Sequence, residues 1–235
     1  MKRVLITGAA KGLGKKISQD LVSKGFDVIV HYRNSKKEAL EMTRGLEANS
    51  LIPVFGDFDS KEGVEAFIQR VKDLGLNIDI LINNVGNFEQ KDASSTSLDD
   101  LQNLYQSNFF APFALAKAFS EDIKASKGQI INIGYAGLEN RMRDSFAFAY
   151  FLTKQSLLSW SKTLAKEMIP YGVRVNMVSP GHLENTIVNI KNKKDLLFSR
   201  LASLDEFSKA VLFLLSDDAS YVTGQNLEVA GGALL

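Results

Sequence analysis

Of the 235 residues, 45% are apolar, and 28 basic side chains face 27 acidic ones for a net charge of +1. That near-balance gives no electrostatic reason to expect nucleic acid or an anionic membrane as partner. The absence of cysteine excludes a disulfide frame and a thiolate metal site, and only two histidines are present, so no metal centre is expected beyond what carboxylates alone hold.

The chain opens Met1-Lys2-Arg3 before Val4-Leu5-Ile6, like the front of a signal peptide, but the apolar run stops at Thr7-Gly8, and Lys11, Lys15 and Lys16 follow. It reads as an edge-to-core strand. The longest apolar run, Phe109 to Ala116, contains Pro112 and is far short of a membrane span. With no linker, repeat or low-complexity stretch, one soluble, cytoplasmic domain over residues 1–235 is expected.

The first strand ends in Thr7-Gly8-Ala9-Ala10-Lys11-Gly12-Leu13-Gly14, after which Leu13, Ile17 and Leu21 recur at helical spacing. Strand, glycine turn and helix form the context in which a glycine motif carries meaning. Glycine permits positive φ and close backbone approach to a pyrophosphate. The helix N-terminus beyond offers free N–H groups and the positive end of a dipole. Gly8, Lys11, Gly12, Leu13 and Gly14 are therefore candidate cofactor contacts.

The second strand, Asp27 to Tyr32, leads into Arg33-Asn34-Ser35-Lys36. A fold binding NAD usually places an acid here for the ribose 2′-hydroxyl. None occurs between His31 and Lys37, whereas Arg33, Ser35 and Lys36 are suited to a 2′-phosphate, which arginine meets in a bidentate fork. NADP(H) is the expected cofactor, against the alternative of a solvated basic helix start. Leu51 to Phe55 is the third strand. Asp57 after it is placed either to accept from an adenine amino group or to cap the next helix, marked by Val64, Phe67, Ile68, Val71 and Leu74. Ile78 to Ile82, near-continuously apolar, is the fourth strand and ends in Asn83-Asn84-Val85-Gly86. Asn84 and Gly86 either keep this turn close to the cofactor or form a turn only.

A helix is expected from about Leu98 to Phe119, interrupted where Pro112 deprives the Asn108 carbonyl of its helical partner. Such a kink either holds a water on a proton path or is merely structural. Gln129 to Ile133 is the fifth strand, followed by Gly134-Tyr135-Ala136-Gly137 and a charged loop to Ser145. Arg174 to Val178 is the sixth strand, ending in Ser179-Pro180-Gly181. Residues of about 182–201 lose apolar patterning and fit a substrate loop. A helix from Leu204 to Leu215 and a strand from Leu227 to Val229 close the chain.

The long helix from Ala147 to Glu167 carries Tyr150-Phe151-Leu152-Thr153-Lys154, with Tyr and Lys on one face one turn apart. A phenol titrates near pH ~10. An ammonium about 5 Å away favours the phenolate by about 3 kcal/mol at an effective dielectric near 20, or about 2 pK units. Tyr150 is therefore expected to titrate closer to neutrality, where a proton donor works best.

Taken together, Thr7-Gly8-x-x-x-Gly12-x-Gly14, Asp57, Asn83-Asn84-Val85-Gly86, Asn108, Tyr150-x-x-x-Lys154, Arg174-Val175-Asn176-Met177-Val178-Ser179-Pro180-Gly181 and Val222-Thr223-Gly224-Gln225 resemble the short-chain dehydrogenase/reductase family along almost the whole chain. The order and spacing of these stretches are highly specific. The resemblance implies an α/β fold, a Rossmann-type doubly wound sheet of seven parallel strands with helices on both faces, assembled as a homotetramer or homodimer. It implies hydride transfer between nicotinamide and a carbonyl or alcohol, with Tyr150 as general acid, Lys154 lowering its pKa and holding the nicotinamide ribose, Asn108 positioning a relay water, and Pro180 and Gly181 at the cofactor. The 3-oxoacyl-acyl-carrier-protein reductases are the most similar branch, which points to a ketone or 3-oxoacyl thioester as substrate.

Two departures stand out. Family members usually carry a catalytic Ser after the fifth strand. Here Tyr135, fifteen residues before Tyr150, occupies the strand-aligned position, and Gly137 lies thirteen before it. Losing one such preorganised donor costs roughly 3 kcal/mol. Tyr135 or Ser145 is the candidate replacement, and an NADP-binding sensor or scaffold with little catalysis is the alternative function. Where some relatives have Arg for an acidic carrier protein, this chain has Ser126 and Tyr171.

Overall fold

The computed structural model describes residues 2–47, 50–140, 144, 146–186 and 198–232. Seven strands form one parallel sheet in the order β3-β2-β1-β4-β5-β6-β7. They are β1 (Arg3–Ile6), β2 (Asp27–Tyr32), β3 (Leu51–Phe55), β4 (Ile80–Asn83), β5 (Gln129–Ile133), β6 (Arg174–Pro180) and β7 (Asn226–Val229). The order reverses between β1 and β4, the topological switch point at whose carboxyl ends open α/β sheets bind ligands.

The central strands read as continuous apolar runs because both faces are covered. Val4 and Ile6 of β1, Val28 and Val30 of β2, Ile80 and Ile82 of β4 and Ile131 and Ile133 of β5 pack on one side with α1 (Gly12–Ser23) and α8 (Leu204–Leu215). The alternate residues Leu5, Ile29, Leu81 and Ile130 pack on the other side with α3 (Lys61–Lys72), α5 (Ala111–Ala118) and α7 (Phe148–Met168). This is the period-2 alternation of a strand, with each face buried under a helical layer.

The helix ends follow local chemistry. Ser60 accepts from the Gly63 N–H at 3.1 Å to cap α3. Ser97 with Asp100, and Ser203 with Glu206, form reciprocal capping boxes at α4 (Leu98–Tyr105) and α8. The expected single helix from Leu98 to Phe119 is a pair: α4, a π-turn over Gln106–Phe110, then α5 with Pro112 in its first turn. The Ala111 N–H reaches the Gln106 carbonyl, so the wide turn absorbs the donor that Pro112 lacks. Two six-residue helices, α2 (Lys36–Glu41) and α6 (Ser120–Ala125), complete the set. Among the described residues no helix is long and apolar enough to cross a membrane.

Candidate active site

The carboxyl ends of β1 and β4 are sewn together by Thr7 and Asn84. The Thr7 hydroxyl accepts from the Asn84 and Val85 N–H groups at 2.9 and 3.0 Å. The Asn84 amide donates back to the Thr7 and Gly8 carbonyls at 2.9 and 3.0 Å. A Cβ at Gly14 would sit 2.3 Å from the Gly8 carbonyl oxygen and 2.7 Å from the Asn84 amide, so only glycine lets the turn fold this tightly on α1. The first turn of α1 carries no side-chain cap and no acidic residue. Its N–H groups are thus left for an anion, the donor set a pyrophosphate requires.

His31, on β2, completes this turn. Its Nδ1 accepts from the Gly8 N–H at 2.9 Å, so Nε2 bears the proton and donates to the Gly56 carbonyl at 3.1 Å. The ring stacks on Phe58 at 4.2 Å. Burial, with a smaller contribution from Arg33, holds its pKa down at about 4 against the opposing Gly56 bond and Asp57.

A cleft of about 800 Å³ opens at the carboxyl ends of β4, β5 and β6, lined by Leu13, Asn84, Gly86, Tyr135, Tyr150, Lys154, Pro180 and Gly181 among others. Sequence reasoning had named these eight. Phe88, Asp144 and Phe146, which it does not single out as site residues, share the walls with His182, Leu183, Asn185 and Thr186 from the start of the expected substrate loop. A smaller cavity of about 290 Å³ lies over β1 and β2, lined by Gly8, His31, Arg33, Asp59, Asn84, Gly86 and Asn87 among others. Gly86 and Asn84 belong to both.

Other predicted contacts lie outside these walls. Lys11 is largely exposed and paired with Glu38 at 2.8 Å. Ser35 begins α2 without a side-chain bond to it. Asp57 caps no helix, since Ser60 does that; its Oδ1 accepts from the Asp59 N–H at 3.1 Å. Gly12 is backed by the Asn185 amide. Ser145 and residues 187–197 of the expected substrate loop lie outside the described residues.

Tyr150 and Lys154 meet the cleft from α7. Lys154 is 2% exposed. Its Nζ donates to the Ile133 carbonyl at 2.8 Å and lies 5.7 Å from the centre of the Tyr150 ring. A Cβ on Gly86 would stand 3.1 Å from that Nζ, so glycine keeps the approach to the amine open. Phe88 and Tyr135 pack edge-on against Tyr150 at 5.1 and 5.6 Å. The expected lowering of the Tyr150 pKa is not what this arrangement gives. Burial pushes the phenol above its ordinary range, and Tyr135 adds to the shift. Burial brings Lys154 down to about 8. Lys154 is buried and Tyr150 is half-buried at the cleft wall, and desolvation disfavours the charged form of each.

Asn108 sits at the π-turn, fully buried. Its Oδ1 accepts from the Asn87 N–H at 2.8 Å and the Ser107 hydroxyl at 2.9 Å, and its Nδ2 donates to the Asn87 carbonyl and to Thr153 Oγ1 at 2.9 and 3.1 Å. Thr153 in turn donates to the Tyr150 carbonyl at 2.7 Å. The side chain of Asn108 therefore ties the Gly86–Asn87 turn to α7. Tyr135, the expected replacement for the family's Ser, donates its hydroxyl to Asp144 Oδ2 at 3.1 Å. Asp144 Oδ1 accepts from the Phe146 and Ala147 N–H groups at the start of α7.

A glycine turn at a sheet switch point, with Tyr150 and the buried Lys154 in the adjoining cleft, defines a nicotinamide-dependent oxidoreductase. Residues 8–233 match the family model described as Enoyl-(Acyl carrier protein) reductase. The 3-oxoacyl-[acyl-carrier-protein] reductase FabG of Haemophilus influenzae is 31% identical over 243 residues, covering 100% of this chain and 98% of that protein. FabG of Aquifex aeolicus is 30% identical, covering 97% and 95%. The chain belongs to the short-chain dehydrogenase/reductase family. Among solved structures, a blue fluorescent protein from a metagenomic library in complex with NADPH superposes with a TM-score of 0.90 at 27% identity, covering 100% of this chain and 98% of that one. 4-Hydroxyisoleucine dehydrogenase complexed with NADH gives 0.89 at 26% identity, covering 100% and 99%.

Proposed function

We propose that this chain is an NADPH-dependent reductase of a ketone or a 3-oxoacyl thioester. The observation that carries the reading is that Tyr150 and the buried Lys154 line one cleft together with the turn residues Asn84 and Gly86, Gly86 lying directly against the Lys154 amine. A bound nicotinamide cofactor would supply the hydride. Arg33 would meet the 2′-phosphate, the α1 N-terminus and its glycine turn would hold the pyrophosphate, and Lys154 would hold the nicotinamide ribose. The Tyr150 hydroxyl gives its proton to the carbonyl oxygen as the carbon gains hydride, yielding the alcohol. A phenol with a raised pKa keeps that proton until the oxygen becomes basic, and the Lys154 ammonium stabilises the phenolate left behind. Asn108 holds the Gly86–Asn87 turn against α7, and its backbone carbonyl positions the water of a proton path to Lys154.

The cleft walls Phe88, Phe146, Tyr135 and Leu183 favour an apolar or planar group beside the carbonyl. The protein works in the cytoplasm, and it assembles as a homotetramer or homodimer, an assembly supported by Phe110 and Phe113, which remain 50% and 43% exposed. The scaffold alternative has no observation in its favour beyond the missing Ser. Loss of NADPH absorbance across a panel of ketones and 3-oxoacyl thioesters tests the reading. Turnover that falls about 1,000-fold in Tyr150→Phe supports it. Turnover that survives in that variant, or tight cofactor binding with no turnover of any substrate, overturns it.

A further inference from the structure

Arg33 follows β2, and the parallel register Tyr32↔Phe55 sets the residues after β3 beside it. Two carboxylates arrive there. Asp57 Oδ1 stays 3.6 Å from Arg33 Nη1 and is already accepting from the Asp59 N–H. Asp59 makes the close contact: its Oδ2 accepts directly from Arg33 Nη1. Its other oxygen faces the Asn87 amide at 3.5 Å, so the same carboxylate reaches from the rim after β2 to the rim after β4. Arg33, Asp59 and Asn87 all line the smaller cavity, together with Gly8 of the glycine turn.

We propose that Asp59 sets the discrimination between NADP(H) and NAD(H) by competing with the 2′-phosphate for the Arg33 guanidinium. This rests on the reading that Arg33 recognises that phosphate. An NADP(H) molecule must break the Arg33–Asp59 pair and bring a dianion towards a carboxylate. An NAD(H) molecule carries a neutral hydroxyl at the same point. It makes no demand on Arg33, and a carboxylate accepts from it. Asp59 therefore penalises one cofactor and spares the other, so this chain uses both more evenly than Arg33 alone would dictate. The pair is partly open to water, with side chains 36% and 57% exposed, which keeps the effect moderate.

The test is equilibrium titration of NADPH and NADH, followed by nucleotide fluorescence and by calorimetry, on the natural chain, Asp59→Asn, Arg33→Met and the double variant. Asp59→Asn is expected to tighten NADPH binding about tenfold and to leave NADH within about twofold. In the Arg33→Met background the same change is expected to act less than about threefold on NADPH, the residual repulsion alone. An unchanged NADPH affinity in Asp59→Asn, or equal shifts for both nucleotides, overturns the competition. Arg33→Met is expected to weaken NADPH at least about tenfold; if it leaves NADPH binding intact, the error lies instead in the phosphate assignment beneath the proposal. Asp59 sits at an exposed loop position, and thermal melting of each variant reports its fold independently of binding.

Discussion

Lys154 Nζ donates to the Ile133 carbonyl oxygen at 2.8 Å, which pins the amine at the carboxyl end of β5 while α7 carries it. Helix and strand thus fix its position from two sides, and burial brings its pKa to about 8. In this site the amine is charged at neutrality by a narrow margin, and under the proposed mechanism that margin sets the pH response.

The first prediction concerns that response. The proposed reduction needs Tyr150 protonated and Lys154 charged. Raising the pH through about 8 removes the ammonium before the phenol ionises, because burial has lifted the phenol above its ordinary range. The reduction kcat/KM is expected to be flat below about pH 7 and to fall along a single limb centred near 8. Initial rates at saturating NADPH from pH 6 to about 10 check this. A profile flat through about pH 9 would contradict the assigned role of Lys154.

The second prediction separates function from stability at the same residue. A lysine that titrates near 8 in the fold and near 10.5 unfolded is less stable charged and buried than charged in water, by up to about 3 kcal/mol at neutrality. Folding stability from this group is lowest below about pH 8 and recovers as the pH rises towards 10.5. Lys154→Met keeps the volume and removes the charge. It is expected to raise stability by about 1–3 kcal/mol, the lost Ile133 bond offsetting part of the gain, and to reduce turnover more than about 100-fold. Urea melts alongside rate measurements check both halves; a marked destabilisation would show that the buried ammonium is net favourable.

The third prediction follows from His31. Its neutral ring accepts from the Gly8 N–H and donates to the Gly56 carbonyl. A pKa of about 4 folded against 6.5 unfolded means that stability from this group is complete above 6.5 and is lost as the pH falls towards 4. Near pH 5 the loss amounts to about 2 kcal/mol. Protonation also removes the acceptor that holds Gly8. His31→Gln offers an acceptor and a donor that do not titrate. The natural chain is expected to lose about 2 kcal/mol more than this variant between about pH 7.5 and 5, and parallel melting curves across that range would refute it.

His31 also marks the limit of what the sequence exposes. The central strands were legible because alternate residues of each run pack on opposite layers, leaving most positions apolar. The boundary of β4 was less clear: the strand runs on to Asn83 because Asn83 pairs in register with Asn132 of β5 and donates to its amide oxygen at 2.8 Å. The short helices α2 and α6 gave no signal, since six residues hold too little of a 3.6-residue period. Pro112 announced an irregular helix but not that a π-turn would take it up. Tyr150, Lys154 and the glycine turn were legible from spacing. The contacts of Arg33 with Asp59 and of His31 with Gly8 were not, because they join ends of separate strands that only the sheet order makes neighbours. The raised phenol pKa was missed for a related reason: helical spacing gives the distance to the ammonium but not how far the fold desolvates each group.

The last prediction addresses the absent Ser. At the strand-aligned position Tyr135 brings a hydroxyl into the cleft, edge-on to Tyr150 at 5.6 Å. That hydroxyl now donates to Asp144, whose other oxygen holds the Phe146 and Ala147 N–H groups just before α7. One O–H cannot serve two acceptors, so donation to a substrate carbonyl requires Tyr135 to leave Asp144. If Tyr135 takes the role of the missing donor, Tyr135→Phe lowers kcat about 100-fold with KM changed less than about threefold, the signature of an interaction made in the transition state. Asp144→Asn keeps an acceptor for the hydroxyl but weakens its hold, and is expected to leave kcat unchanged or raise it slightly, because the hydroxyl is freed more easily. Ser145→Ala is expected to cost less than about threefold. A loss concentrated in the Ser145 variant, with Tyr135→Phe near full activity, would reassign the donor and leave Tyr135 as an aromatic wall.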